Sequence, residues 1–225
     1  MISILYILLL ALFASSHAAT TKRGLIYISN KNPGDDSIWD RPGSDLTWYY
    51  NYGASPTSEY TKSNLEFVPM LWGVPSSSGS FYNTVKSLKD SGVNITYVLG
   101  FNEPDGTSSQ GGSNIAPDKA ASIWIKEIEP LKSLGIKLGA PACQGSPSGT
   151  DWLSSFIYNC KGNCTIDFIP VHWYGNFEGF ASHVGEIYAA FGNKTIWATE
   201  FALSGASLAD SQTFYNQSSS FLDQL

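Results

Sequence analysis

Charge is scarce in this chain. Of 225 residues only 14% are Asp, Glu, Lys or Arg, and acid outweighs base, 19 groups to 13. No Lys/Arg run or basic stripe occurs, which excludes the electrostatic footprint of a nucleic-acid binder. Cysteine is also sparse, with three in all. Cys160 and Cys164 lie in "NCKGNCT". No second pair and no nearby His completes a zinc set around them, so the segment reads as a small disulfide loop. Cys143 is left over, either as a buried thiol or as the partner of one of the other two. Beyond residue 18 no apolar run reaches the roughly 20 residues that cross a bilayer. There is no G-x-S-x-G elbow, which excludes the usual Ser-His-Asp hydrolase arrangement. No G-x-G-x-x-G follows the first apolar run, which weighs against a doubly wound dinucleotide fold.

Aromatic residues are abundant, at 14%, with seven Trp and twelve Tyr. Most are expected in the core, but aromatic faces also stack on neutral, flat ligands such as sugars. The first 18 residues, "MISILYILLLALFASSHA", read as a secretory signal with a small-x-small cleavage site before Ala19, although no Lys or Arg opens them. The expected organisation is a signal peptide over 1–18 and one catalytic domain over 19–225. N-x-S/T sequons at Asn94, Asn163, Asn193 and Asn216 fit a glycosylated, extracellular or cell-wall protein. No membrane or nucleic-acid partner is expected, and the chain is expected to be monomeric.

After the signal, short apolar runs alternate with helix-like segments. The runs are "GLIYIS" (24–29), "LTWYYNYG" (46–53), "LEFVPMLWG" (65–73), "NITYVLGF" (94–101), "IKLGAPA" (136–142), "IDFIPVHWYG" (166–175) and "TIWATEFAL" (195–203). Helices are expected over 81–92, from Ala121 to Leu131 with a kink at Pro130, over 151–158, around Val184 to Phe191, and over 208–225. Near-continuous apolar strands alternating with helices indicate βαβ units and a parallel sheet. The expected class is α/β, a (β/α)₈ barrel that stops before its eighth strand. That would leave strands one and seven as open edges, an arrangement expected to aggregate.

In such a barrel the reacting groups stand at the C-terminal ends of the strands. Run four ends in Asn102-Glu103, run six in His172-Trp173-Tyr174 and run seven in Thr199-Glu200. Runs two and three end among Trp48, Tyr49, Tyr50, Asn51 and Trp72. Two carboxylates facing one another amid aromatics suggest glycoside hydrolysis, in which one acid is neutral and the other ionised. Asp105 reads as a hydrogen-bonding loop residue and Asp167, at the opposite rim, as structural.

"GFNEPDG", with "WYYN", "LWG", "CKGNCTIDFIPVHWYG" and "WATEFA" in the same order, resembles glycoside hydrolase family 128, secreted β-1,3-glucanases, from Gly24 to Phe201. The resemblance implies a clan A-type (β/α)₈ barrel with Glu103 as acid/base and Glu200 as nucleophile. It implies that Asn102 binds the hydroxyl beside the anomeric centre. Tyr174 would orient Glu200, and His172 would hold the acid/base or the substrate. Trp48, Tyr49, Trp72 and Trp173 would be sugar-stacking platforms. The implied reaction is retaining cleavage of β-1,3-glucan without a cofactor or metal. The alternatives are a clan A hydrolase of another β-glycan linkage and an inactive glucan-binding wall protein.

Overall fold

The computed structural model describes residues 22–28, 36–61, 63–192 and 194–225. The signal segment 1–18 and the sequon at Asn193 lie outside the described residues. Within them run strands β1 (Arg23–Ile26), β2 (Leu46–Tyr50), β3 (Glu66–Phe67), β4 (Tyr97–Val98), β5 (Lys137–Leu138), β6 (Phe168–Tyr174) and β7 (Thr195–Ala202). Helices α1 (Ser80–Asp90), α2 (Pro117–Glu127), α3 (Pro147–Cys160), α4 (Phe177–Ala190) and α5 (Leu208–Asp223) follow β3 to β7 in turn. The ladders β1–β2, β2–β3, β4–β5 and β6–β7 are all parallel. Single parallel bridges, Met70 to Leu99 and Gly139 to Phe168, join β3 to β4 and β5 to β6. The fold is therefore α/β, with parallel strands following one another in chain order. Among the described residues no ladder joins β7 to β1.

Three apolar runs give ladders of only two residues, at β3, β4 and β5. Pro69 and Pro141 sit in two of these runs and have no N–H to donate, so the pairing breaks up. It continues as scattered bonds, such as Leu99 N to Pro69 O at 2.8 Å and Gly100 N to Gly139 O at 3.1 Å. Three helices, α2, α3 and α4, begin earlier than periodicity suggests, and the last two have side-chain caps upstream. Ser146 Oγ accepts from Gly149 N ahead of α3, with Pro147 in the first turn, and Asn176 Oδ1 accepts from Gly179 N ahead of α4. Pro130 does not kink a longer helix. α2 stops at Glu127 and the chain goes on as a 3₁₀ segment, Glu129–Leu134. Cys160 and Cys164 form a disulfide just after α3, and Cys143 is a buried free thiol. The sequon residues Asn94, Asn163 and Asn216 are exposed.

Alternate residues of each strand serve two layers. Between strands and helices, Val98, Phe101, Trp124, Phe156 and Phe180 are fully buried. There α2 meets α3 edge-to-face, with the Trp124 and Phe156 rings 5.5 Å apart. On the inner face Tyr50, Val68, Met70, Leu99 and Phe168 form a separate cluster. Its floor is a stack in which Trp197 contacts Phe168, Trp48 and Tyr97 at 4.4, 4.8 and 4.8 Å. Phe168 lies so close over Gly139 that a Cβ there would meet its ring at 2.5 Å. The floor fixes the depth at which the carboxylates stand.

Glu127 is 1% exposed and binds α2 to the start of α1. Its carboxylate accepts from the backbone N–H groups of Gly79, Phe81 and Tyr82, donors that a helix start leaves unpaired. Glu127→Ala is expected to cost about 2 kcal/mol, since buried donors lose their acceptor. In a domain of this size that lowers the thermal midpoint by roughly 4–8 °C. Glu127→Gln keeps an acceptor and should lose less in the same melting experiment.

Candidate active site

The strand ends place the site. After β4, Asn102 N donates to Trp72 O at 2.9 Å and Glu103 N to Ala142 O at 2.7 Å, so this turn is pinned to both neighbouring strands. Glu103 has a φ of 40°, in the left-handed region. Such a conformation costs a non-glycine residue about 1–3 kcal/mol and persists where the surroundings enforce it. Here it turns the side chain inward, to 7% exposure. Across the molecule the β6–β7 register shifts by one residue between Val171 and His172. Unshifted, His172 would sit beside Thr199; shifted, its partner is Glu200. The irregularity re-aims the side chains, as strand bulges do near functional sites.

His172 is fully buried between the two acids. Its Nδ1 lies 3.0 Å from Glu103 Oε1 and its Nε2 3.5 Å from Glu200 Oε1. Gln144 Nε2 donates to Glu103 Oε2 at 3.1 Å. Glu200 takes hydroxyls on both oxygens: Tyr52 and Tyr50 at 2.8 and 3.4 Å on Oε1, and Tyr174 at 2.6 Å on Oε2. Burial, then the Glu200 charge, pushes the Tyr50 and Tyr52 phenols upward. Burial, then the bond to Glu200, does the same to Tyr174. All three stay protonated and able to donate. For Glu103, burial pushes the carboxyl up. The hydrogen bonds from His172 and Gln144 and the charge on His172 outweigh it, holding the group below its ordinary value.

One ligand atom from each of Glu103, His172 and Glu200 lies within 4.8 Å of the others. This donor set could hold a cation. Of the His172 nitrogens, Nδ1 bonds Glu103, while Nε2 is buried facing Glu200 with no hydrogen-bond partner.

A cavity of about 620 Å³ opens above the acids, bordered by Tyr52, Trp72, Asn102, Glu103, Tyr174 and Glu200. Asn102 Oδ1 is buried without a hydrogen-bond partner, while its Nδ2 donates to Gly111 O at 3.2 Å. Six of the nine residues singled out from the sequence thus converge: Glu103, Glu200, Asn102, His172, Tyr174 and Trp72. Three do not reach the cavity. Tyr49 points to the opposite face of β2, where it packs with Tyr60 and Phe67. Trp48 points inward but belongs to the aromatic floor, one inward position below Tyr50. Trp173 alternates away from His172 and Tyr174. Its ring lies over His183 at 5.6 Å, and its Nε1 donates to Asn176 O. As expected, Asp105 is a hydrogen-bonding loop residue, accepting from Gln144 N. Asp167 is structural, accepting from Leu138 N.

Sequence reasoning missed Tyr52 and Gln144. Tyr52 stands two residues past β2 in the left-handed region, with a φ of 59°, so strand alternation does not place it. Gln144 gave no signal beyond its place after run five.

A depressed carboxyl stabilises the fold above its unfolded value of 4.5, and this contribution is lost as pH falls through the lower folded value. Glu103→Gln removes that titration. Its melting temperature should therefore drop less than that of the wild type between about pH 5 and pH 3.

The chain is similar to known proteins. The family described as glycosyl hydrolase catalytic core matches residues 24–225. Alkali-sensitive linkage protein 1 of Schizosaccharomyces pombe is 33% identical over 211 residues, covering 90% of this chain. The match spans only 36% of that protein's length. Among solved structures, a curdlan-specific exo-β-1,3-glucanase of family 128 from Blastomyces gilchristii, in complex with glucose, is 34% identical with a TM-score of 0.75. The likeness covers 91% of this chain and 85% of that one. An endo-β-1,3-glucanase of the same family from Lentinula edodes is 30% identical, with a TM-score of 0.68 and coverage of 84% and 73%. One from Amycolatopsis mediterranei, a glutamate-to-alanine variant in complex with laminaripentaose, is 28% identical, with a TM-score of 0.71 and coverage of 91% and 84%. The chain therefore belongs to the glycosyl hydrolase catalytic cores and, among them, to glycoside hydrolase family 128.

Proposed function

We propose that this domain hydrolyses β-1,3-glucan with retention of configuration, with Glu103 as acid/base and Glu200 as nucleophile. The observation that carries the reading is the approach of the two carboxylates, one oxygen of each within 4.8 Å. Retaining enzymes set their acids about 5–5.5 Å apart, whereas inverting enzymes need roughly 6.5–9.5 Å to admit a water. Glu200 attacks the anomeric carbon while Glu103 protonates the departing oxygen. Glu103 then activates the water that releases the sugar. Three phenol donors orient Glu200. His172 orients Glu103, and Asn102 contacts the hydroxyl beside the anomeric carbon. Trp72, 38% exposed at the rim, is the stacking platform.

The linkage follows the relatives, whose descriptions name β-1,3-glucan and laminari-oligosaccharides. We further read the fold as a (β/α)₈-type barrel. Chain-order parallel neighbours support this, as does the reach of Tyr50 across the interior to Thr199 O, at 3.1 Å. Secretion to the cell exterior or wall is supported by the leader-like N-terminus, the disulfide and the exposed sequons.

Reducing-sugar release from linear β-1,3-glucan tests the reading. Glu200→Gln should lower it by about a thousandfold or more, as loss of a nucleophile does. Proton NMR of the first product should show the β-anomer. Initial formation of the α-anomer would overturn retention. Cleavage confined to β-1,4-glucan or mannan would overturn the linkage. Binding without cleavage by the wild type would leave a glucan-binding protein.

A further inference from the structure

We propose that Gln144 is a positioning residue for Glu103 and that Asp105 holds Gln144 in place, an inference that rests on Glu103 being the acid/base. Three bonds zip the tail of β5 to the turn after β4. Glu103 N donates to Ala142 O at 2.7 Å, Gln144 N to Asp105 Oδ1 at 3.1 Å, and Gln144 Nε2 to Glu103 Oε2 at 3.1 Å. The neighbours leave room for this zip and little else. A Cβ on Gly106 would lie 2.7 Å from Gln144 Nε2. One on Gly149, in the first turn of α3, would lie 2.3 Å from the Gln144 carbonyl and 3.2 Å from Asp105 Oδ2. The buried Cys143 thiol lies behind the same Asp105 carboxyl, whose charge adds to burial in pushing the thiol up.

An amide suits this position chemically. Glu103 must be an acid in one half of the reaction and a base in the other. Gln144 donates through Nε2 to the carboxylate and, turned over, accepts through Oε1 from the carboxylic acid. A Lys or Arg here would serve only the ionised form, and an Asp or Glu would favour the neutral one. The remaining groups facing Glu103 are His172 on Oε1, Glu200 beyond that ring, Tyr174 across the cavity, and Asp105 and Cys143 behind. With the Gln144 donor gone, burial and the neighbouring carboxylates act on Glu103 with less opposition. It keeps its proton to higher pH, so the basic limb of the pH profile moves up.

The test compares wild type, Gln144→Met and the near-isosteric Gln144→Glu on two substrates. Laminaritetraose needs a proton on its leaving group; the 2,4-dinitrophenyl glycoside of laminaribiose does not. Both variants should shift the basic limb of kcat/KM upward, Gln144→Glu the further. On laminaritetraose the plateau value of kcat/KM, below the basic limb where Glu103 is protonated in every variant, should fall at least about tenfold, the order of a hydrogen bond to a charged group. On the dinitrophenyl glycoside it should stay within about threefold of wild type, because acid assistance is not needed there. Asp105→Ala should reproduce the same split between substrates. Profiles and rates equal to wild type would overturn the role of Gln144. So would an equal loss on both substrates, which marks a collapsed site. A wild type that cleaves neither substrate would instead overturn the glucanase reading itself.

Discussion

A buried imidazole between two buried acids is the constraint around which the rest is arranged. His172 has no exposure, and it touches Glu103 with one nitrogen and faces Glu200 with the other. Two carboxylates this close repel one another, and burying both without a partner would be prohibitive. The ring bonds one acid through Nδ1 and stands between it and the other, toward which Nε2 points. Its position depends on the one-residue slip in the β6–β7 ladder. Without the slip, the residue beside His172 would be a threonine.

The two acids are held by different chemistry. Glu200 sits among neutral phenols, which donate hydrogen bonds and carry no charge at working pH. Glu103 sits against an amide and the imidazole, groups whose donating and accepting roles can change. That difference fits the proposed division of the two acids into nucleophile and acid/base.

The aromatic excess divides three ways by strand face. Trp48, Trp197, Phe168 and Tyr97 make the floor, Tyr50, Tyr52 and Tyr174 grip Glu200, and Trp72 lines the cavity rim. Composition alone could not sort them. Alternation along β2 and β6 could sort part of them: Trp48 and Tyr50 share a face that Tyr49 does not, and His172 and Tyr174 share one that Trp173 does not. The Ser146 and Asn176 caps were equally legible, yet the apolar periodicity drew the helix starts too late.

By itself the amino-acid sequence determined the alternation of apolar runs and helices, the parallel class that follows from it, and the two acids at run ends. These are local or periodic properties, written in neighbouring residues. Only the tertiary structure decided which aromatic side chains meet sugar space and which are packing. It alone brought Gln144, 41 positions along the chain, onto Glu103, and turned Glu103 inward through a left-handed backbone. The physical reason is that pairing register, backbone strain and desolvation arise between segments distant in the chain, and no single run encodes them.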